Sequence, residues 1–170
     1  MERRQLTSRF EASDNNLTGV IPYNSPTEIT EGGRRFTEVL RRGCFRSAVG
    51  QDVICTFNHN ADNLLGRTSS GTLTLADSPD GLRWSVTLPD YASDIKEMVK
   101  RGDLNGCSFT FTTRTGGEVW TKSTRELTDI NLYELGPVVF PAYQASKVGL
   151  RSTTLYRTKL ESRNRTYLTR

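Results

Sequence analysis

The sequence predicts a mainly β domain with a few short helices, its strands closed or nearly closed into a barrel. Apolar and polar residues alternate in several short runs, most cleanly over Leu82, Trp84, Val86 and Leu88. Glycine-containing breaks separate these runs, and only two stretches carry a helical pattern. Many short strands with glycine-rich turns and no internal repeat fit a closed β architecture better than a helical bundle or an alternating α/β fold.

Taken in order, residues 3–11 form a plausible first strand, and residues 19–24 a second that Pro26 stops. Thr37 is a candidate cap for a short helix over Glu38, Val39, Leu40, Arg41 and Arg42, with Gly43 as its left-handed terminator. Residues 49–57 read as a strand through Val53, Cys55 and Phe57, and Leu73 and Leu75 mark another. The strongest helix lies at Ser93–Arg101. Ser93 is a good N-cap, Asp94 and Glu97 favour the start, Lys100 and Arg101 favour the end, and Gly102 stops it. Ile95, Met98 and Val99 give its apolar stripe. Further strands are expected at Gly106–Thr113, 118–123, 130–135 and 148–150.

The chain has 170 residues, which fits one ordinary domain over residues 1–150 and leaves a basic, Thr- and Arg-rich flexible tail at 151–170. That tail carries six basic residues against Glu161, a balance of +5, so residues 1–150 hold about −1 of the net +4. Such a domain lacks the basic face that neutralises a phosphate backbone, and nucleic acid is not expected as a partner. No apolar run approaches the roughly 20 residues of a membrane span, and the N-terminal residues show no signal-peptide pattern. Three cysteines (Cys44, Cys55, Cys107) without CxxC spacing, and one histidine, argue against zinc and for a reducing cytoplasm.

Three residues could carry chemistry. Ser108 lies in Asn105-Gly106-Cys107-Ser108-Phe109-Thr110-Phe111. Strand parity puts Cys107, Phe109 and Phe111 on the apolar face and Ser108, Thr110 and Thr112 on the other. Cys107 is thereby placed in the core, where a thiol is usually inert, so Ser108 is the better nucleophile. The plain alternative is a serine on a solvated face. His59, the sole histidine, follows a strand in Phe57-Asn58-His59-Asn60, and the flanking asparagines suggest a turn. Continued alternation from Phe57 would instead bury it as a core residue. No other side chain here has an ordinary pKa suited to acid–base work near neutrality. Glu134 falls in line with Ile130 and Leu132, so some burial is expected, and buried carboxylates need partners. It can orient an imidazole or reach an arginine or solvent. Asp129, on the opposite parity, is the second choice for that acid.

Several motifs then occur in series. They are Leu17-Thr18-Gly19-Val20-Ile21-Pro22-Tyr23-Asn24, Phe36-Thr37-Glu38-Val39-Leu40-Arg41-Arg42-Gly43-Cys44-Phe45, and Asn58-His59-Asn60 with Leu65-Gly66-Arg67-Thr68. Gly81-Leu82, Ser108-Phe109-Thr110-Phe111 and Leu132-Tyr133-Glu134-Leu135-Gly136-Pro137-Val138-Val139-Phe140-Pro141-Ala142-Tyr143 follow. Across residues 16–150 this resembles the prohead maturation proteases of tailed bacteriophages, relatives of herpesvirus assemblin. The resemblance implies an assemblin-like barrel and a serine endopeptidase with His59, Ser108 and, less directly, Glu134 as its catalytic residues. It implies no cofactor and no metal. The implied substrates are the major capsid protein precursor or a separate scaffold, and the protease itself, inside the assembling procapsid in the host cytoplasm. Three departures stand out: Asn60 where the family has Asp, Thr110 where it has Gly, and Cys44 where a small residue is expected. The oxyanion donors are sought near the Leu65-Gly66-Arg67 turn. The rival readings are a non-catalytic capsid-assembly or scaffold-like module, and a nucleic-acid binder acting through the tail.

Overall fold

The computed structural model describes residues 1–7, 11–13 and 15–139. The expected strand at 148–150 and the tail at 151–170 lie outside the described residues. Among the described residues there are thirteen strands and one α-helix: β1 (Glu2–Thr7), β2 (Glu11–Ser13), β3 (Asn16–Pro22), β4 (Thr27–Glu31), β5 (Arg34–Leu40), β6 (Ile54–Phe57), β7 (Asn60–Arg67), β8 (Leu73–Ser78), β9 (Gly81–Thr87), α1 (Ser93–Arg101), β10 (Gly106–Thr113), β11 (Glu118–Thr121), β12 (Thr124–Leu127) and β13 (Ile130–Val138). No helix among the described residues is long and apolar enough to cross a membrane.

The strands form three sheets, ordered β1-β10-β13-β6-β7, β11-β12-β5-β4 and β2-β3-β9-β8. The expected closed barrel is corrected here, because none of the three closes on itself. A count of strands does not specify closure, which depends on pairing between edges. In the five-stranded sheet the edges are β1 and β7, and they do not pair. One core fills the space between the sheets, with Leu17, Ile21, Phe45, Leu82, Phe109, Phe111, Leu127 and Leu135 almost wholly buried.

Two local expectations also change. The helix expected after Thr37 is β5, which pairs parallel to β12 and antiparallel to β4. Hydrogen bonding on both edges overrides a weak helical preference, and Gly43 (φ 86°) supplies a left-handed turn after the strand instead of a helix end. Helix α1 has the expected bounds, but Ala92 is its N-cap residue and no side chain caps it, since a 3-10 turn at Asp90–Ala92 leads straight into it. Gly102 closes it in the left-handed conformation, its N–H bonded to the carbonyls of Met98 and Val99.

Candidate active site

Strand β10 is central to the site. It pairs with β1 on one side (Gln5 opposite Ser108) and with β13 on the other (Gly136 opposite Ser108). Phe109 and Phe111 face the core, as parity requires, and Ser108 and Thr110 face the other way. That second face is not solvated: Ser108 is 0% exposed and Thr110 is buried. Cys107 is fully buried, and burial pushes its thiol up to about 12, which leaves it inert as a nucleophile.

The cover over Ser108 is a hairpin. Phe57 pairs with Asn60, so β6 and β7 are joined by only Asn58 and His59, both left-handed (φ 55° and 58°). Positive φ at both central residues is the geometry of a type I′ turn, which suits asparagine. The Asn58 side chain accepts from the Val139 N–H at 2.9 Å, and its own N–H donates to the Pro137 carbonyl at 3.0 Å. The turn is thereby tied to the end of β13. His59 therefore leaves the Val53–Cys55–Phe57 alternation and points back over the sheet.

Glu134 reaches the same face through an irregularity in β13. Thr110 pairs with Glu134 but Phe111 pairs with Leu132, so Tyr133 is an extra residue in the ladder. Without it, Glu134 would share the core face with Leu132 and Ile130, as strict alternation predicts. The bulge moves it to the face of Ser108 and Thr110. Burial of Glu134 is as expected, but the reason for it is different. Asp129 stays outside, paired with Arg114 at 3.3 Å on the surface. β13 also runs parallel to β6, and a side chain at Gly136 would collide with the Thr56 carbonyl. Glycine at 136 lets the hairpin settle onto β13.

The side chains meet in one chain of hydrogen bonds. His59 Nε2 lies 2.5 Å from Ser108 Oγ, and His59 Nδ1 lies 2.9 Å from Glu134 Oε2. Thr110 Oγ1 donates to the same Oε2 at 2.8 Å, and Thr56 Oγ1 donates to Oε1. Burial alone would raise the Glu134 carboxyl, yet the bonds from His59, Thr56 and Thr110 hold it down at about 2. An ionised Glu134 fixes the imidazole proton on Nδ1 and leaves Nε2 to accept. The Ser108 hydroxyl has a second acceptor, the Arg4 carbonyl at 3.0 Å. Its one proton goes to Nε2 when the imidazole is neutral and to Arg4 when both ring nitrogens carry protons.

Sequence reasoning missed Thr56 and Thr110. Thr110 shares Ser108's parity, a signal that was present, whereas Thr56 is signalled only by its parity opposite to Cys55. The segment Leu65-Gly66-Arg67, expected as a turn holding oxyanion donors, is the end of β7. Its Arg67 N–H donates to Thr72 Oγ1 at 2.9 Å and its guanidinium pairs with Asp52. Among the described residues, no group of three or more His, Cys, Asp or Glu could hold a metal ion.

No curated protein and no solved structure matches the chain. Residues 5–161 match the family model of the caudovirus prohead serine protease. That match spans most of the 170 residues, and the chain belongs to the caudovirus prohead serine protease family.

Proposed function

We propose that the chain is an endopeptidase in which Ser108 is the nucleophile, His59 the general base and Glu134 the acid that orients it. One observation carries this reading: three stretches of sequence bring a hydroxyl, an imidazole and a buried carboxylate into a continuous hydrogen-bonded series. Ser108 Oγ attacks a peptide carbonyl carbon while its proton passes to His59 Nε2. Glu134 stabilises the imidazolium that forms. The tetrahedral species collapses as Nε2–H protonates the leaving amine, and an acyl-Ser108 remains. Water, deprotonated by the same nitrogen, then releases the acid and restores the hydroxyl.

The substrates are the capsid protein precursor or scaffold inside the procapsid, with the protease cutting itself as well. In this reading residues 1–150 form the protease domain and the basic residues 151–170 a separable tail. The full burial of Ser108 is the observation that favours the rival reading, a capsid-assembly module without turnover. Intact-mass analysis of the capsid precursor co-expressed with wild type or Ser108→Ala decides between them. Trimming should occur with the wild type alone. Equal trimming by both chains would remove Ser108 from the mechanism, and no trimming by either would favour the assembly module.

A further inference from the structure

We propose that Thr56 and Thr110 are positioning residues of this centre, their two hydroxyls holding the Glu134 carboxylate so that Oε2 meets His59 Nδ1. The inference rests on the assignment of Ser108, His59 and Glu134 above and extends it to two residues outside that set. Thr110 and His59 Nδ1 bond to the same oxygen, at 2.8 and 2.9 Å, while Thr56 takes the other. A hydroxyl has one proton, so each threonine directs its only donor at the acid. The donors come from β6, β10 and the β6–β7 turn, and they fix the carboxylate in three directions.

Both threonines are buried, at 2% and 5% exposed, so bulk water does not compete for these bonds. Among the described residues no lysine or arginine forms an ion pair with Glu134; its only ion-pair partner is His59. While the imidazole is neutral, the buried charge is therefore stabilised by neutral donors. A carboxyl that gained a proton would lose its grip on Nδ1–H, and the ring's tautomer with it. Holding the acid ionised and oriented before substrate arrives is work that the threonines do through Glu134. They do not touch the reacting atoms.

The test uses the full chain and a fluorophosphonate, which labels an activated serine, with the labelling rate followed against pH. Thr110→Val keeps the side-chain shape and removes the donor. Labelling at neutral pH should slow about tenfold, the loss of one hydrogen bond to a charged acceptor. The midpoint of the acid limb should also rise, because a carboxylate with one donor fewer holds the imidazolium more tightly. Thr110→Ser should restore both rate and midpoint. Thr56→Val should act in the same direction and more weakly, since Thr56 serves the oxygen that His59 does not use. If Thr110→Val does not fold, Thr56→Val carries the same test. An unchanged rate and midpoint overturns the inference. So does a uniform loss of labelling at every pH with the midpoint fixed, the signature of structural damage alone. Those outcomes leave Ser108 in place so long as Ser108→Ala abolishes the label. A wild type that takes no label, or a Ser108→Ala chain that takes as much, overturns the assignment of Ser108 itself.

Discussion

Two buried polar clusters flank strand β10, one on each face of its sheet, and they handle charge in opposite ways. On the core face, Arg4 binds Glu38 through two nitrogens at 2.6 and 2.9 Å, and Arg125 joins the same carboxylate at 3.1 Å. Arg125 also reaches Glu2 and Glu118, and the Arg4 guanidinium lies 5.4 Å from the centre of the Phe111 ring. There charge is balanced by charge, and arginine does not give up its proton in a protein, so the cluster cannot pass one on. On the other face Glu134 is held by neutral hydroxyls and an imidazole, which can accept a proton and return it. Burial of polar groups does not by itself mark a site. The presence of a group that can change its protonation does. Arg4 belongs to both clusters, its side chain to one and its carbonyl, at Ser108 Oγ, to the other.

The contrast can be broken first at Glu134. Glu134→Gln keeps the shape but can present a donor to Nδ1 and favours the wrong tautomer. Cleavage of capsid precursor should fall about 10⁴-fold, as when a triad carboxylate becomes an amide. On the other face, Glu38→Ala leaves two guanidinium groups underpaired in the interior. It should cost about 3–5 kcal/mol in urea unfolding, and a loss comparable to a surface substitution would deny the cluster its structural role.

Acid sharpens the comparison. The Glu134 carboxyl lies at about 2 in the fold against an ordinary 4.5. Because the folded value is the lower one, its contribution to stability is complete above about 4.5 and is lost as the pH falls towards 2. Glu2 is also lowered, burial opposing and Arg125 and Arg4 overcoming it, so both clusters weaken in acid. Unfolding followed by circular dichroism should show a shallower loss for Glu134→Gln than for wild type across that window. The smallest effect is expected at Asp129. Its pairing with Arg114 is exposed, and Asp129→Asn should leave both cleavage and melting unchanged. A rate loss equal to that of Glu134→Gln would transfer the orienting role to Asp129.

Much of this was legible where the signal is local. Alternation gave β9 and β10 their faces, and charge placement with Gly102 bounded α1. The face of Ser108 was legible from parity, and the turn at His59 from its flanking asparagines, whereas alternation would have sent His59 into the core. Glu134 was found on a pattern that the fold does not keep: alternation aligned it with Leu132, and the bulge at Tyr133, which alternation cannot foresee, turned it to Ser108's side. The ion cluster was not legible, because Arg4, Glu38 and Arg125 are separated by 34 and 87 residues and nothing near any of them announces the others. The strand at residues 34–40 was hidden for the same reason, its partners β4 and β12 deciding against a local helical preference. Closure failed as an expectation because edges pair, or do not, only in three dimensions.

The parallel pairing of β13 with β6 also sets an order of events. The turn that carries His59 joins two adjacent strands, so it can close as soon as β6 and β7 exist, and its tie to the end of β13 follows later. The acid arrives with β13, the last strand described, which must close a loop of some 80 residues onto β6. During synthesis Ser108 and His59 are thus in place before Glu134, the residue proposed to aim the imidazole. In the proposed mechanism the hydrogen-bonded series is complete only once β13 has docked, a delay written into strand order.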